Sequence, residues 1–120
     1  MIFTDRVYNP PATDHGERFL VDRLWPRGVK KESAQLTDWI KEVGPSNELR
    51  NWFGHDPKKW TEFQRRYFAE LKEHSEFWKP LLTAARRRNI TLLFGAKDEE
   101  HNNAVALKIF LTRKLRSAKS

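Results

Sequence analysis

The chain has 120 residues, a formal net charge of +7 and no cysteine. This length suits one domain with one core, and the lack of cysteine excludes disulfides, thiolate nucleophiles and cysteine-ligated zinc or iron–sulfur centres. No apolar run approaches the ~18–20 residues needed to cross a bilayer, and the first residues lack the layout of a secretory signal. We therefore expect one domain over residues 1–120 with a basic tail over residues 113–120, a cytoplasmic location and no membrane partner.

Three short runs rich in Val, Ile, Phe and Leu predict strands over residues 2–8, 18–24 and 90–95. Between the first two lies the loop NPPATDHG, in which Pro10 and Pro11 cannot donate to a strand ladder. The third run, ITLLFG, is apolar almost throughout, as in a strand that is covered on both faces. The sequence therefore predicts a small sheet with a core of about three strands.

The segment between the second and third strands is predicted to be helical. Four apolar residues have the i, i+3, i+4, i+7 spacing of one helix face: Leu36, Trp39, Ile40 and Val43. This spacing predicts a helix that begins near residue 35 and ends at Gly44-Pro45. Asp56 as N-cap and Pro57 at the first position open a longer helix. The further helices are predicted over residues 47–53, 57–74 and 77–88.

The last helix is predicted from about residue 99 to residue 116. Asp98 is the natural N-cap, two glutamates follow in the first turn and basic side chains fill the last turn, as the helix dipole favours. His101 then falls in the first turn, where the positive end of the dipole favours a neutral imidazole that can accept a proton. A surface or capping histidine fits the same position equally well.

The order of these elements indicates the fold. A strand, a helical excursion and a second strand beside the first make a crossover unit, for which parallel pairing and a right-handed connection are expected. The link between the first two strands is shorter than a usual crossover, which favours antiparallel pairing there but leaves the orientation open. We expect an α/β fold: a small three-layer sandwich with a central sheet of about three or more mostly parallel strands and helices on both faces.

Two polar segments follow strands at the carboxyl edge of this sheet, where ligands of open α/β sheets usually bind. The first segment contains Asp22, Arg23, Trp25 and Arg27, and the second contains Lys97, Asp98, His101, Asn102 and Asn103. If the two strands are parallel neighbours, the cations face one another beside a flat indole. Because arginine can bind a phosphate or carboxylate with two parallel N–H bonds, the arrangement predicts an anion pocket. The alternative is a structural ion pair of Asp22 with Arg23, beside which Trp25 caps the core.

Candidate roles follow from the chemistry of these side chains. The candidate groups for proton transfer are His101, Asp22 and Asp98. The candidate ligand-binding residues are Arg23, Trp25, Arg27, Trp52, His55, Lys97 and Asn102. No metal site is expected, because His55, Asp56 and His101 lack an organising HxxxH or HxH spacing. The sequence implies no particular cofactor.

The positive charge also fits nucleic acid as a partner. Basic clusters occur at residues 30–31, 58–59, 65–66, 86–88 and 113–119. They are scattered over several elements, and no helix-turn-helix, zinc-finger or RNA-recognition signature accompanies them. A basic surface without a specific partner remains an open interpretation.

Three motifs carry a resemblance to a known family: VDRLWPRG, SNELRNWFGHDPKKWTEFQRRYFAEL and TLLFGAKDEEHNNAVAL. In this order, over about residues 18–111, the chain resembles the YeaO-like branch of the family named domain of unknown function 488. The resemblance implies a single α/β domain of bacteria or archaea and no particular reaction. It implies a site at these motif residues: Asp22, Arg23, Trp25, Arg27, Trp52, His55, Trp60, Tyr67, Lys97, Asp98, His101 and Asn102. A broader branch of the family carries cysteines where this chain has Phe94 and Asn102, so thiol chemistry does not carry over.

The leading hypothesis is a protein that binds a small anionic ligand, such as a nucleotide or a phosphorylated metabolite, at the carboxyl ends of the strands. Whether it is also an enzyme is open. The alternative is a nucleic-acid-binding or regulatory module that uses its basic surface, and a third possibility is a partner-binding protein without chemistry. The sequence does not predict an oligomeric state.

Overall fold

A four-stranded parallel sheet organises the fold. The computed structural model describes residues 1–117. The strands are β1 (Ile2–Arg6), β2 (Glu17–Leu20), β3 (Asp38–Trp39) and β4 (Ile90–Phe94), in the spatial order β1-β4-β2-β3. Every neighbouring pair is parallel. The three predicted strands are confirmed, with β1 and β2 ending earlier than expected.

The position of β4 inside the sheet explains why the strand is so apolar. It pairs with β1 on one side and β2 on the other, and all five of its residues are buried. Leu92 and Phe94 belong to the main core cluster, whereas Leu93 belongs to a second cluster with Leu20 and Val7. A strand covered on both faces favours apolar residues, which accounts for Ile90, Leu92, Leu93 and Phe94. The polar residue in the run, Thr91, is buried with its hydroxyl bonded to the His15 carbonyl at 2.9 Å.

Helices lie on both faces of the sheet, as expected for an α/β sandwich. The helices are α1 (Lys31–Ala34), α2 (Asn47–Phe53), α3 (Trp60–Glu73), α4 (Ser75–Arg87) and α5 (Asn103–Ser117). The last four form the main core against one face, while α1 lies on the other, where the Arg18 guanidinium donates to the Ala34 carbonyl at 3.3 Å. Among residues 1–117, no helix is both long and apolar enough to cross a membrane.

The helix predicted from residue 35 to Gly44 is wrong. Its middle forms the edge strand β3, because the backbone of Thr37 donates to Arg18 at 2.7 Å and that of Ile40 donates to Leu20 at 2.9 Å. Leu36 and Trp39 pack on one face of the sheet, and Ile40 and Val43 pack on the other. The apolar residues whose spacing predicted one helix face therefore pack on the two opposite faces of the sheet at its edge.

The antiparallel pairing favoured for the first two strands is also wrong. β4 lies between β1 and β2, and both pair with it in parallel. The link over residues 7–16 returns along the sheet without a helix, because side-chain contacts hold it there. The His15 ring stacks on Phe3 at 3.8 Å between centroids, and the Thr91 hydroxyl donates to the His15 carbonyl at 2.9 Å. A short link can therefore join two parallel strands that are not neighbours.

The last helix begins later than the sequence predicts, at Asn103. The Asn102 side-chain oxygen accepts from the Val105 backbone at 3.0 Å, which is the bond of an N-cap. Asp98 instead caps a separate turn, in which it accepts from the backbone of Glu100 at 2.9 Å and of His101 at 3.0 Å. His101 thus precedes the helix rather than lying in its first turn. The predicted basic tail is helical through Ser117, and residues 118–120 lie outside the described residues.

The two candidate caps can be separated by substitution. Asn102 is 2% exposed, and its amide also donates to the Asp98 carbonyl at 2.9 Å. Asn102→Ala should therefore cost about 1–2 kcal/mol of unfolding free energy, measured by urea denaturation, because a buried cap is lost. Asp98→Ala should cost less, since its turn lies outside the helix. An equal or larger loss in Asp98→Ala would place the helix start at Asp98 instead.

Candidate functional site

A cavity of about 460 Å³ opens beyond the carboxyl ends of β2 and β4. Its lining comes chiefly from the loops after β2 and β4, from the end of α2 and from the start of α5, with single residues from the loop after β1 and from α3. The predicted site residues among this lining are Asp22, Arg23, Trp25, Arg27, His55 and Asn102. Four other predicted residues lie outside the lining: Trp52, Lys97, Asp98 and His101. The parallel pairing of β2 with β4 is what brings the two polar segments together.

The Asp22 carboxylate joins the ends of the two central strands. Its Oδ2 accepts from the Gly95 backbone at 2.9 Å. Burial raises the pKa of Asp22, although the Gly95 N–H, the Asn103 amide and the more distant charges of Arg50 and His55 act in the opposite direction. None of the ion pairs formed within residues 1–117 includes Asp22. The cavity therefore contains a carboxylate whose charge lacks a close cationic partner.

Arg23 fixes the wall of the cavity. Its Nε donates to the Pro45 carbonyl at 2.9 Å, and its Nη2 donates to the Gly44 carbonyl at 2.8 Å. The buried Tyr67 hydroxyl donates to the neighbouring Val43 carbonyl at 2.6 Å. Two donors of Arg23 are thus used by the backbone, so the residue shapes the cavity whatever else it binds. The ion pair of Arg23 with Asp22, which the sequence offered as the alternative to an anion pocket, is not among those of residues 1–117.

Three further cationic or titratable side chains approach the cavity. Arg27 is exposed, and Arg50 donates to the Asn47 side chain at 2.7 Å. His55 follows Gly54, and both have left-handed backbones, with φ of 58° and 54°. A left-handed conformation is costly for a residue with a side chain, and Gly54 and His55 turn the chain back at the end of α2.

Sequence reasoning did not single out Arg50, although it lies within the quoted motif SNELRNWFGHDP. Arg50 lies in the last turn of α2, at the same end of the helix as Gly54 and His55. This position is the sequence signal that could have identified it. Asn51, Asn103, Tyr8 and Leu24 also line the cavity. Leu24 and Tyr8 are 59% and 45% exposed, so they lie at its mouth.

The two tryptophans predicted to bind ligand differ in position. Trp25 donates from its ring nitrogen to the Val29 carbonyl at 2.7 Å and packs edge-on to Trp39 at 5.3 Å, which makes it a fixed wall of the cavity. Trp52 faces two cations instead: Arg66 lies 4.2 Å and Lys59 lies 5.1 Å from its ring centroid.

His101 and Asp98 form a pair of their own outside the cavity lining. The His101 Nδ1 lies 2.9 Å from the Asp98 Oδ2, and its ring meets Trp60 edge-on at 5.4 Å. The Glu100 backbone N–H, followed by the His101 side chain, holds the pKa of Asp98 below its usual range. Lys97 is exposed. Within residues 1–117, no group of three or more His, Asp or Glu side chains is arranged to hold a metal ion.

Comparison with known proteins places the chain in a family. A family model described as "Inactive DUF488-N3 subclade" matches residues 1–120. The chain belongs to the DUF488 family. It is 42% identical over 106 residues to uncharacterized protein YeaO of Escherichia coli strain K12, covering 88% of this chain and 92% of that protein. It is 46% identical over 68 residues to uncharacterized protein Rv3073c of Mycobacterium tuberculosis, covering 57% of this chain and 58% of that one. No solved structure matches it.

These matches confirm the resemblance of the three motifs to the YeaO-like branch. The E. coli relative covers most of the chain, so the likeness includes both loops that meet at the cavity. The structure separates the motif residues into three groups. Some line the cavity, Tyr67, Trp60 and Trp52 pack in or against the core, and Lys97, Asp98 and His101 belong to neither group.

The raised pKa of Asp22 predicts that its charge lowers stability. Because the folded pKa lies above the ordinary value of 3.8, the protonated carboxyl stabilises the fold at low pH, and this contribution is lost as the pH rises through the folded pKa. Asn keeps an oxygen for the Gly95 N–H but carries no charge. Asp22→Asn should therefore be more stable than the wild type at pH 7, and the difference should shrink toward zero in acid, as measured by denaturant unfolding across pH.

The matched control is Asp98→Asn. Because the pKa of Asp98 is lowered, its charged form stabilises the fold above the ordinary value of 3.8, and this contribution is lost as the pH falls through the folded pKa. Asp98→Asn should therefore be less stable than the wild type at pH 7. A loss of stability in both variants at pH 7 would contradict the assignment of Asp22 as a carboxylate that burial destabilises.

Backbone strain at His55 predicts that its replacement by glycine stabilises the fold. Glycine adopts left-handed φ without steric cost, so His55→Gly should gain up to about 1 kcal/mol of unfolding free energy after the greater entropy of unfolded glycine is subtracted. Gln35→Gly is the control, because Gln35 has a φ of 51° and lies outside the cavity lining. Thermal unfolding of both variants would measure the gains, and a clear loss in His55→Gly would show that its side chain stabilises the fold.

Proposed function

We propose that the protein binds a small anionic ligand, such as a nucleotide or a phosphorylated metabolite, in the cavity at the carboxyl ends of β2 and β4. The observation that carries the proposal is the charge of the lining. Among the described residues that form it, Arg23, Arg27 and Arg50 stand against a single carboxylate, Asp22. The cavity volume of about 460 Å³ lies in the range of ~300–1,000 Å³ that small-molecule sites occupy.

The arginines differ in what they can offer a ligand. Arg23 donates two hydrogen bonds to backbone carbonyls, so it contributes its charge and its fixed position to the cavity wall. Arg27 is exposed, and Arg50 donates to the Asn47 side chain at 2.7 Å through one of its nitrogens. A guanidinium presents five N–H donors in a planar fork, so Arg27 and Arg50 keep donors for a phosphate. These two residues are the proposed anion-binding groups.

The same observations favour binding over catalysis. The best candidate for general acid–base work, the pair of His101 and Asp98, lies outside the cavity lining. The family model that matches the chain is described as an inactive subclade. Asp22 is the remaining candidate for proton transfer. His55 also lines the cavity, but the two form no ion pair within residues 1–117, so no close acid–base pair is assembled there.

Nucleic-acid binding through the basic surface is the second candidate. Several of the basic residues already have intramolecular partners: Arg65 and Arg66 pair with Glu62, and Arg88 pairs with Glu17 at 3.1 Å. Arg66 also stacks on Trp52. Charges used in this way are less available to phosphates, so the cavity is the better supported site.

Titration with inorganic phosphate at pH 7 and constant ionic strength, followed by NMR chemical shifts, tests the proposal. Arg27→Gln and Arg50→Gln should each weaken binding about tenfold, because a hydrogen bond to a charged group is worth ~1.5–3 kcal/mol. Arg86→Gln removes the same charge from an exposed position outside the cavity and should change affinity little.

The outcomes separate the two candidate functions. If the wild type does not bind phosphate, or if Arg86→Gln weakens binding as much as the cavity variants do, the cavity proposal is wrong. Binding of an oligonucleotide that falls steeply with salt and weakens on charge reversal of residues 86–88 would support the nucleic-acid alternative.

A further inference from the structure

The charges around the cavity are arranged unequally between its inner part and its mouth. Asp22 lies where the two central strands end, held by the Gly95 N–H at 2.9 Å, and burial raises its pKa. The mouth carries the exposed Arg27 beside the exposed side chains of Leu24 and Tyr8. An entering molecule therefore meets positive charge first and a carboxylate further in.

The hydrogen bond that Asp22 accepts from Gly95 does not require a carboxylate. The bond from the Gly95 N–H to Oδ2 could be accepted by the amide oxygen of an asparagine, without the cost of burying a charge. No ion pair within residues 1–117 offsets that charge. If the carboxylate also accepts a hydrogen bond from a bound ligand, the presence of an aspartate at this position is explained.

Charge complementarity then restricts the ligand. A molecule that is only anionic is attracted by the arginines but repelled by Asp22, whereas a molecule that is only cationic is repelled by the arginines. A molecule with both kinds of group satisfies both parts of the cavity. Trp25, Phe53 and Phe63 also line the cavity and offer it apolar ring surface.

We propose that the ligand is an amino-bearing phosphate, which binds with an amino N–H donor at Asp22 and its phosphate at Arg27 and Arg50. This inference rests on the proposed function and adds the ligand's chemistry and its orientation in the cavity. Two sources share the chemistry: nucleotides with an exocyclic amino group and small phosphorylated amines. In both, the amino group would lie at Asp22 and the phosphate on the side of Arg27 and Arg50.

Matched ligand pairs test the inference. Adenosine monophosphate is compared with purine riboside monophosphate, which lacks only the exocyclic amine, and phosphoethanolamine is compared with ethyl phosphate, which lacks the ammonium group. At pH 7, the wild type should bind the amine-bearing member of at least one pair about tenfold more tightly, by calorimetric titration, as one charge-assisted hydrogen bond allows. The pair that shows the preference identifies the source.

Asp22→Asn is the deciding variant. It should abolish the preference within the pair and should tighten binding of the member that lacks the amine, because a negative charge has been removed from the cavity. Asp98→Asn removes a carboxylate outside the cavity and should keep the preference. These opposite changes are not expected from a general loss of folding.

Failure of this inference differs from failure of the proposed function. If both members of each pair bind equally while Arg27→Gln and Arg50→Gln still weaken phosphate binding, the cavity binds anions but Asp22 does not select an amine. If the preference for the amine-bearing ligand survives in Asp22→Asn, the amino group does not bind at Asp22 and the inference is wrong. If none of the phosphates binds the wild type, both proposals are overturned.

Discussion

The parallel pairing of β2 with β4 is the constraint on which the rest of the molecule depends. In register, Leu20 lies beside Leu93, so the two strands end at the same edge and their following loops must run side by side. Asp22 fixes this relation with a hydrogen bond from the Gly95 backbone at 2.9 Å. Because Phe19 and Leu92 pack in the main core cluster and Leu20 and Leu93 in the second one, a slip of one residue would move these side chains to the wrong face. The cavity follows from this register.

A second set of contacts holds the opposite wall. The segment over residues 43–46 is bound by side chains from two directions: Arg23 from the end of β2, and Tyr67 and Glu70 from α3. Glu70 accepts from both the backbone and the hydroxyl of Ser46, at 2.9 and 2.6 Å, and Ser46 in turn caps α2. Residues that look like surface charges in the sequence are therefore part of the structure that positions Arg50 and His55.

Much of the fold could be predicted from local signals, because those signals are strong where chain geometry is simple. The apolar run of β4 and the Asp56-Pro57 start before α3 are each specified by neighbouring residues. The predictions failed where the outcome depended on distant partners. Residues 35–43 have helical spacing, but the open edge of β2 offered them backbone bonds. Asp98 and Asn102 are both good caps, and only the packed position of α5 decides between them.

The same distinction applies to the candidate site. The loop after β2 was identified because charged and aromatic residues at a strand end are unusual, and Asp22, Trp25 and Arg27 do line the cavity. His101 was a candidate because it belongs to the polar segment after β4, but that segment was assumed to enter the helix at once. The turn at Asp98 carries the pair of His101 and Asp98 outside the cavity lining, which no local pattern shows. Arg50 was missed because its relevance depends on where α2 ends relative to β2, which no local pattern encodes.

Two features of the cavity lower the stability of the fold. The buried charge of Asp22 opposes folding at neutral pH, and the left-handed backbone of His55 is strained where glycine would be relaxed. In contrast, the Tyr67 hydroxyl and two nitrogens of Arg23 donate to backbone carbonyls. Local costs of this kind tend to occur where a protein binds or reacts, because stability and function make different demands on the same residues. That both costs lie in one cavity, on two segments joined only by the tertiary fold, supports this cavity as the functional site more strongly than its shape does.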